Sequence, residues 1–200
     1  MPVASKPSVQ TLELPPLDMR TVIIRVVGDS ELITHAWSEK AKREMRDKQM
    51  GKAQTRKEPK NPDAEYEAAF YRMPDGTPAV PAIAFKAAAV DAATQLSGVT
   101  KVFLRGAFHV VGEYLPIEGE PRMREDMVRV GMGTADLRYR PGFPAWAVNV
   151  PVRFNTRAIT LEQLANLFRQ AGFSVGICEW RPSKDGAFGM FHVEALDEVA

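Results

Sequence analysis

The order of strand-type and helix-type patterns along the chain constrains its fold more than any other feature. Strand patterns occur at 20–28, at 102–112, at 146–155 and in the final run FGMFHVEAL. Helical patterns lie between them, over the alanine-rich segment 82–97 and over a segment that opens at Thr160 with a Thr-x-x-Gln capping box and closes at Gly172. The order β-α-β-β-α-β predicts a ferredoxin-like α+β fold.

In this fold a four-stranded antiparallel sheet carries two helices on one face, and its other face is left for insertions or a ligand. Pro151 lies inside the third strand pattern and predicts an edge strand or a bulge there, since proline donates no ladder hydrogen bond. The run VGICEW and the following turn predict a strand-turn-strand or helix-exit element that completes the sheet.

The remaining segments divide the chain into an arm, one domain and two insertions. Residues 1–19 form a polar arm that contains proline, and residues 20–196 form the domain. The first insertion, 38–80, opens with Ser38 as the cap of a polar helix that runs to about Met50. The second, 113–145, is long, irregular and rich in arginine, which predicts a functional loop.

Composition excludes several classes of protein. The 200 residues carry a formal net charge of +1 and one cysteine, Cys178, so no internal disulfide is possible and a reducing compartment is expected. No apolar run approaches the ~20 residues of a membrane span, and the N-terminal residues lack the apolar segment of a signal peptide. We therefore expect a cytoplasmic protein that does not bind membranes.

Catalytic signatures are sparse. His35, His109 and His192 lie far apart and without paired cysteines, so the sequence predicts neither a metal site nor a cofactor. Cys178 stands in an apolar run beside a glutamate, a setting that raises a thiol pKa and predicts an inert side chain. Asp126 and Asp136 leave a carboxylate-dependent nuclease open as a minor alternative, although ion pairs with neighbouring arginines are the more common use of such residues.

Signals for nucleic acid are stronger. Between residues 40 and 60, nine lysines and arginines oppose three acidic residues. Aromatic residues stand beside cations at Trp37, at Tyr139 and in the Trp180-Arg181 pair. Base stacking on an aromatic ring, with a cation on the backbone, is how sequence-tolerant single-strand binders work. Each feature also has an ordinary explanation in the core or on a solvated surface.

The topology resembles that of the RAMP superfamily, which includes backbone subunits of CRISPR effector complexes that polymerise along a guide RNA. Three features carry the resemblance: the helix that begins PAVPAIAFKAAAVDAA, the insertion 113–145 and the loop 184–189 before the last strand. The resemblance implies that Lys86 lies near nucleic acid, that 113–145 is a thumb over the strand, and that the loop corresponds to a glycine-rich loop. It has only Gly186 and Gly189, fewer glycines than such loops usually have.

We therefore predict a non-catalytic protein that binds single-stranded nucleic acid with little sequence preference and assembles side by side along it. The predicted contacts are Lys40, Lys42, Arg43, Arg46, Lys48, Lys52, Lys86, Arg138, Tyr139, Arg140, Trp180, Arg181, Gly186 and Gly189. The basic residues of the first insertion would neutralise phosphates, 138–140 would wedge or stack, and the glycines would let the backbone approach phosphate closely.

Two other interpretations stay open. The general character of the sequence resembles that of bacteriophage proteins, which implies a bacterial host cytoplasm. In that setting the chain could be a structural or assembly component, or an inhibitor of a host complex, with the arm and the long loop as subunit contacts. The sequence does not distinguish DNA from RNA, nor does it give the size of an oligomer.

Overall fold

The computed structural model describes residues 14–52, 59–130 and 133–198. The strands in these ranges are β1 (Met19–Gly28), β2 (Leu32–Ile33), β3 (Tyr71–Arg72), β4 (Pro78–Pro81), β5 (Phe108–Val110), β6 (Tyr114–Pro116), β7 (Arg122–Val130), β8 (Thr134–Phe143), β9 (Ala147–Asn155) and β10 (Phe191–Glu198). The α-helices are α1 (Glu39–Gln49), α2 (Pro62–Ala68), α3 (Ala82–Ala92), α4 (Lys101–Ala107) and α5 (Leu161–Ser174). Of the predicted arm, residues 1–13 lie outside the described ranges.

Four strands form a central antiparallel sheet in the order β10-β1-β9-β5. The chain enters them as β1-α3-β5-β9-α5-β10, with the remaining elements inserted between. This is the ferredoxin-like α+β arrangement, so the predicted fold class is confirmed. None of the α-helices in the described ranges combines the length and the hydrophobicity that a bilayer crossing requires.

The hydrophobic core lies between this sheet and helices α3 and α5. Phe85 of α3 packs edge-on against Phe191 of β10, with ring centroids 5.7 Å apart, and Phe108 meets Phe168 of α5 at 6.1 Å. A side chain at Gly172 would overlap the carbonyl of Phe191, so this glycine lets α5 approach β10 closely. The core thus fixes both helices on one face of the sheet.

Two helix caps follow directly from the sequence. The Thr160 hydroxyl accepts a hydrogen bond from the Gln163 amide at 3.2 Å, and the Gln163 side chain accepts one from the Thr160 amide at 3.0 Å. The Ser38 hydroxyl accepts from the Ala41 amide at 3.1 Å and starts α1. The predicted capping box and the predicted start of the basic helix are confirmed.

The prediction of one strand over 102–112 was wrong. Most of that segment is α4, and only Phe108–Val110 joins the sheet. The Thr100 hydroxyl caps the helix by accepting from the Phe103 amide at 3.1 Å. Leu104 and Ala107 are buried at helical spacing while Val102 is exposed, so the burial follows a helix rather than the alternation of a strand.

Strand β9, which contains Pro151, lies inside the sheet between β1 and β5, so the predicted edge position was wrong. The Pro151 carbonyl accepts a hydrogen bond from the Val111 amide at 2.8 Å, just beyond the end of β5. The amide and the carbonyl of one strand residue point to the same side. The missing donor of Pro151 therefore faces Val111, the first residue after β5, so the proline removes a ladder bond only at the position where β5 ends.

The run VGICEW is not a strand. Residues 175–190 form a loop from α5 to β10, in which Cys178, Trp180 and Asp185 adopt left-handed backbone angles of φ 62°, 49° and 60°. The loop hydrogen-bonds to itself, with the Ile177 amide donating to the Gly189 carbonyl at 3.0 Å. The helix-exit alternative for this segment is the one that the structure shows.

The second insertion is ordered as a β-hairpin rather than an irregular loop. β7 and β8 are paired along their length, from Arg122 opposite Gly142 at the base to Val130 opposite Thr134 near the tip. β2 joins β8 at the base to give a three-stranded sheet. The first insertion contributes α1, α2, β3 and most of β4, and these two strands form a short sheet with β6 of the second insertion. Helix α2 packs on β8, which brings the two insertions together.

Candidate nucleic-acid interface

An open cleft of about 640 Å³ lies between α1, α2 and β8. We call it the insertion cleft. The residues lining it that carry rings or positive charge are His35, Trp37, Lys40, Lys60, Arg138 and Tyr139. They come from three segments that are far apart in the sequence, so the meeting of the two insertions creates the site.

Trp37 stands at the mouth of the insertion cleft with 61% of its surface exposed. The backbone on both sides of it is fixed. The Ala36 amide donates to the Ala69 carbonyl at 2.9 Å, and the Tyr71 hydroxyl donates to the His35 carbonyl at 3.3 Å. On its other side Ser38 caps α1. The chain therefore holds a large exposed ring in a defined position, which is unusual for a residue without a packing role.

Tyr139 and Arg138 enter the cleft from β8. Tyr139 pairs in register with Glu125 on β7, and a hydrogen bond with that carboxylate raises the pKa of the Tyr139 hydroxyl. Arg138 Nε lies 2.9 Å from Asp136 on its own strand. Both side chains are oriented by neighbours on the hairpin and remain half-buried, so part of each still faces the cleft.

Lys60 crosses from the first insertion to the hairpin. Its ammonium donates to the Asp136 carboxylate and, at 2.6 Å, to the Leu137 carbonyl. The hydrogen bond with Lys60 and the charge of Arg138 lower the pKa of Asp136. Asp136 thus serves as an anchor for two cations of the cleft, which is the ion-pair use that its sequence context favoured.

His35 lies deeper, and burial lowers the pKa of its imidazole, so the ring is neutral at pH 7. A neutral imidazole both donates and accepts hydrogen bonds, which suits the edge of a base better than a phosphate. His35 thus adds a neutral polar ring to a lining that also holds Lys40, Lys60 and Arg138 and the carboxylates of Glu44 and Glu65.

Helix α1 forms the outer wall and carries most of the predicted phosphate contacts. Lys40, Lys42, Arg43, Arg46 and Lys48 are all exposed, and Lys52 follows the helix. Lys42 pairs with Glu39 at 2.6 Å, and Lys52 pairs with Asp47 at 3.0 Å. Among the described residues, Arg43, Arg46 and Lys48 make no ion pair. These three exposed basic side chains lie beyond the residues that line the cleft, and the charges of Arg43 and Arg46 help to lower the pKa of Glu39.

Arg140, predicted as a contact, is instead buried to 1% exposure at the base of the hairpin. Its guanidinium lies 2.9 Å from Asp126 and 3.3 Å from Glu179, and 5.0 Å above the ring of Trp180. Arg124 joins the same cluster through Asp126 at 2.9 Å. These charges bind the hairpin to the 175–190 loop, so Arg140, Asp126 and Trp180 have a structural setting rather than an open one.

The glycines of the loop 184–189 face the loop itself. A side chain at Gly186 would overlap the Trp180 carbonyl, and one at Gly189 would overlap the Ile177 carbonyl. Arg181 donates to the Cys178 carbonyl at 2.9 Å and to the Ser183 hydroxyl at 3.0 Å. The close approach that these glycines permit is therefore between two parts of the same loop.

Lys86 points away from the insertion cleft. Its ammonium donates to the carbonyls of Leu104 and Arg105 at 3.1 Å and to that of Phe108, and it lies 3.8 Å from the centre of the Phe108 ring. Burial lowers the pKa of Lys86 to about 8. The side chain closes the C-terminus of α4, a role that satisfies carbonyls at the end of a helix.

Three of the six ring-bearing or cationic residues of the cleft, His35, Trp37 and Lys60, were absent from the predicted set. Trp37 directly precedes Ser38, the cap of the basic helix. A tryptophan beside a helix cap in a polar stretch is the sequence signal that could have identified it as a contact. Lys60 precedes Asn61, which caps α2 with Pro62 in the first turn, so its place at a helix start was readable. What the sequence could not show is that both would face β8.

Comparison with known proteins gives a limited result. No protein-family model matches the chain, and no curated protein matches it either. Among solved structures, the crystal structure of Cmr6 from Pyrococcus furiosus is similar over 88% of this chain and 98% of that chain, with 11% sequence identity and a TM-score of 0.47. A TM-score below 0.5 supports no argument about function.

Proposed function

We propose that the protein binds single-stranded nucleic acid in the insertion cleft, with little preference for sequence. One observation carries the proposal: an exposed tryptophan and a tyrosine share a cleft with three cations from separate segments. Rings bind bases of any identity because every base has a π-face, and cations bind the backbone that all sequences share. The combination is typical of sequence-tolerant single-strand recognition.

The geometry favours a single strand over a duplex. A base can stack on the exposed ring of Trp37 only after it has left its own stack, and duplex bases are stacked and paired. Trp37 at the mouth would take such a base, while Lys40 and Arg138 at the rim would take the adjoining phosphates. Arg43, Arg46 and Lys48 on α1 would extend the cationic track beyond the cleft.

The proposal revises the predicted contact set. It keeps Lys40, Lys42, Arg43, Arg46, Lys48, Lys52, Arg138 and Tyr139, and it adds Trp37 and Lys60. Lys86, Arg140, Trp180, Arg181, Gly186 and Gly189 receive structural roles instead. The division into arm, domain and insertions, assembly along a strand, the bacterial cytoplasm and an origin in bacteriophage remain predictions from the sequence.

The test is a graded series at Trp37 with a fluorescein-labelled 15-nucleotide oligothymidine, read by anisotropy at 50 mM salt. Loss of one stacked base predicts that Trp37→Ala weakens binding about tenfold, whereas Trp37→Phe keeps a ring and weakens it less than about threefold. Thermal melting shows whether each variant is folded. Equal affinities for the two variants and the wild-type protein would remove the stacking role.

Two arginine variants, one in the cleft and one outside it, test the role of charge. Arg138→Gln removes a cation from the cleft, and we expect the slope of log affinity against log salt to fall by about 0.7. Arg157→Gln removes an exposed arginine that does not line the cleft, and its slope should equal that of the wild-type protein. If thymidine monophosphate binds as tightly as the oligonucleotide, the cleft is a small-molecule site instead.

A further inference from the structure

A second concave surface lies on the helical side of the molecule, far in sequence from the insertion cleft. It is a groove of about 740 Å³ between the 96–99 turn with the start of α4 on one side and α5 on the other. Phe103 and Phe173 form its walls and are 46% and 71% exposed, while Leu104 and Leu167 on its floor are buried. Two large exposed rings around an apolar floor are typical of a docking surface. We call it the helix groove.

The same chain carries an apolar segment whose leucine side chains are exposed to solvent. Residues 14–17 have the sequence LPPL and follow Glu13. Leu14 is 77% exposed and Leu17 is 74% exposed. The two prolines between them favour polyproline II geometry, in which every third residue returns to the same face with a rise of about 3.1 Å per residue. Leu14 and Leu17 would then project from one face, about 9 Å apart.

The segment and the groove are complementary in shape and charge. Proline-rich segments bind aromatic-lined grooves because their extended conformation is already formed and little entropy is lost. Among the described residues lining the helix groove, Arg169 is the only charged one. The leucines are flanked by the acidic residues Glu13 and Asp18. A segment with two leucines on one face and acidic flanks therefore matches a groove whose apolar floor lies beside a single cation, Arg169.

The way the segment is anchored leads to a second copy of the chain. Asp18 is held by Asn155 and Thr156, with the Thr156 amide donating to the Asp18 carbonyl at 2.8 Å. The groove begins close by, at Ala158, yet the leucines next to Asp18 stay exposed. An anchored segment that leaves both apolar surfaces uncovered can cover them by reciprocal exchange around a twofold axis.

We propose that residues 14–17 of one copy dock in the helix groove of a second copy, between Phe103 and Phe173. The leucines face the apolar floor, and Arg169 meets the acidic flank. The contact is independent of the insertion cleft, which stays open in the resulting dimer. It also differs from assembly along a strand, because it forms without nucleic acid.

Cysteine pairing in the full-length protein tests the proposal. A Glu13→Cys chain is mixed with a larger, tagged Gln170→Cys chain under mild oxidation, and a disulfide-linked heterodimer is expected. Glu162→Cys, on the same helix but outside the groove, is the matched control and should pair at least about tenfold less. The native Cys178 does not interfere, because burial raises its pKa to about 12.

A chain that carries both Glu13→Cys and Gln170→Cys separates the possible occupants. Disulfides between chains support the proposal. Disulfides within one chain would overturn it in favour of the chain's own arm, and pairing no better than the Glu162→Cys control would overturn it in favour of another partner or of solvent.

Sedimentation without crosslinks gives a second, independent measurement. We expect Leu14→Ser with Leu17→Ser to weaken self-association at least about tenfold, because two leucines would lose their apolar environment. Both leucines are exposed in the single chain, so the variant should melt as the wild-type protein does. Met127→Ser, an equally exposed apolar position on the hairpin, should leave the dimer intact. A wild-type protein that stays monomeric at several hundred micromolar contradicts the proposal.

Discussion

Replacing Asp126 with alanine tests whether the buried charge cluster holds the hairpin in place. The carboxylate is 6% exposed and lies 2.9 Å from both Arg140 and Arg124. Its removal leaves Arg140, which is 1% exposed, with Glu179 as its remaining carboxylate at 3.3 Å. Removing one partner of a buried ion pair destabilises a protein by about 3–5 kcal/mol, because an uncompensated charge stays out of water.

The assay is denaturant unfolding followed by circular dichroism, with thermal melting beside it. The free energy of unfolding should fall by about 3–5 kcal/mol, and the melting temperature by about 6–20 °C for a chain of this length. Asp136→Ala is the matched control, since that carboxylate pairs with Arg138 near the surface and should matter by less than about 1 kcal/mol.

A paired replacement distinguishes charge from packing. Asp126→Leu combined with Arg140→Met removes both charges and keeps apolar volume, so it should recover most of the stability lost in Asp126→Ala. The reasoning fails if Asp126→Ala loses less than about 1 kcal/mol, or if the paired variant is as unstable as the single one. The first result would mean that the cluster is hydrated, and the second that the ion pair itself stabilises the hairpin more than apolar packing can.

Three further predictions concern the stability of the fold. Gly186→Ala should destabilise the protein by more than about 2 kcal/mol, because the new methyl group would overlap the Trp180 carbonyl, whereas Gly106→Ala in α4 meets open space and should stabilise it by up to about 1 kcal/mol in the same unfolding assay. Since the pKa of Lys86 is lowered to about 8, this residue binds more protons in the unfolded chain between pH 8 and 10.5, so its contribution to stability should rise with pH there. In a pH series of melting curves, the melting temperature of the wild-type protein should therefore rise relative to that of Lys86→Met. Thr160→Ala should cost about 1 kcal/mol through loss of the capping box, and Thr160→Ser, which keeps the hydroxyl, should stay near the wild-type value.

The fold was predictable where local patterns agree with the tertiary structure. The Thr160 capping box, the alanine-rich helix and the alternating strand at 20–28 each identify one element, and their order leaves few topologies. The strand prediction for 102–112 was wrong because Val102 and Phe103 have a high strand propensity but lie exposed on a helix. The edge-strand prediction at Pro151 was wrong because a single sequence does not show where the neighbouring strand ends.

The hairpin was missed for a different reason. Strand β7 has the sequence RMREDMVRV, in which charged residues fall on both faces, so no apolar alternation marks it. Its stability comes from cross-strand pairs and from the buried charges at its base, which are contacts distant in sequence. The same contacts bury Arg140, which the sequence had suggested as a nucleic-acid contact.

The site was only partly predictable. The basic helix follows from composition and from its Ser38 cap, and its exposure confirms a solvent-facing charged surface. Its juxtaposition with Tyr139 depends on α2 packing on β8, which no local pattern indicates. Glycine permits the close approach of any two groups, and at Gly186 and Gly189 both groups are backbone of the same loop, which the sequence does not indicate.

The most direct measurement is the binding of wild-type protein to a labelled single strand at 50 and 200 mM salt, with duplex DNA as competitor. About four phosphate contacts from the cleft and α1 predict a slope near −3, so affinity should fall roughly 50-fold between the two conditions. The duplex should compete poorly. Absence of binding at 50 mM salt, or binding that does not change with salt, would contradict the account and leave the insertion cleft without a nucleic-acid role.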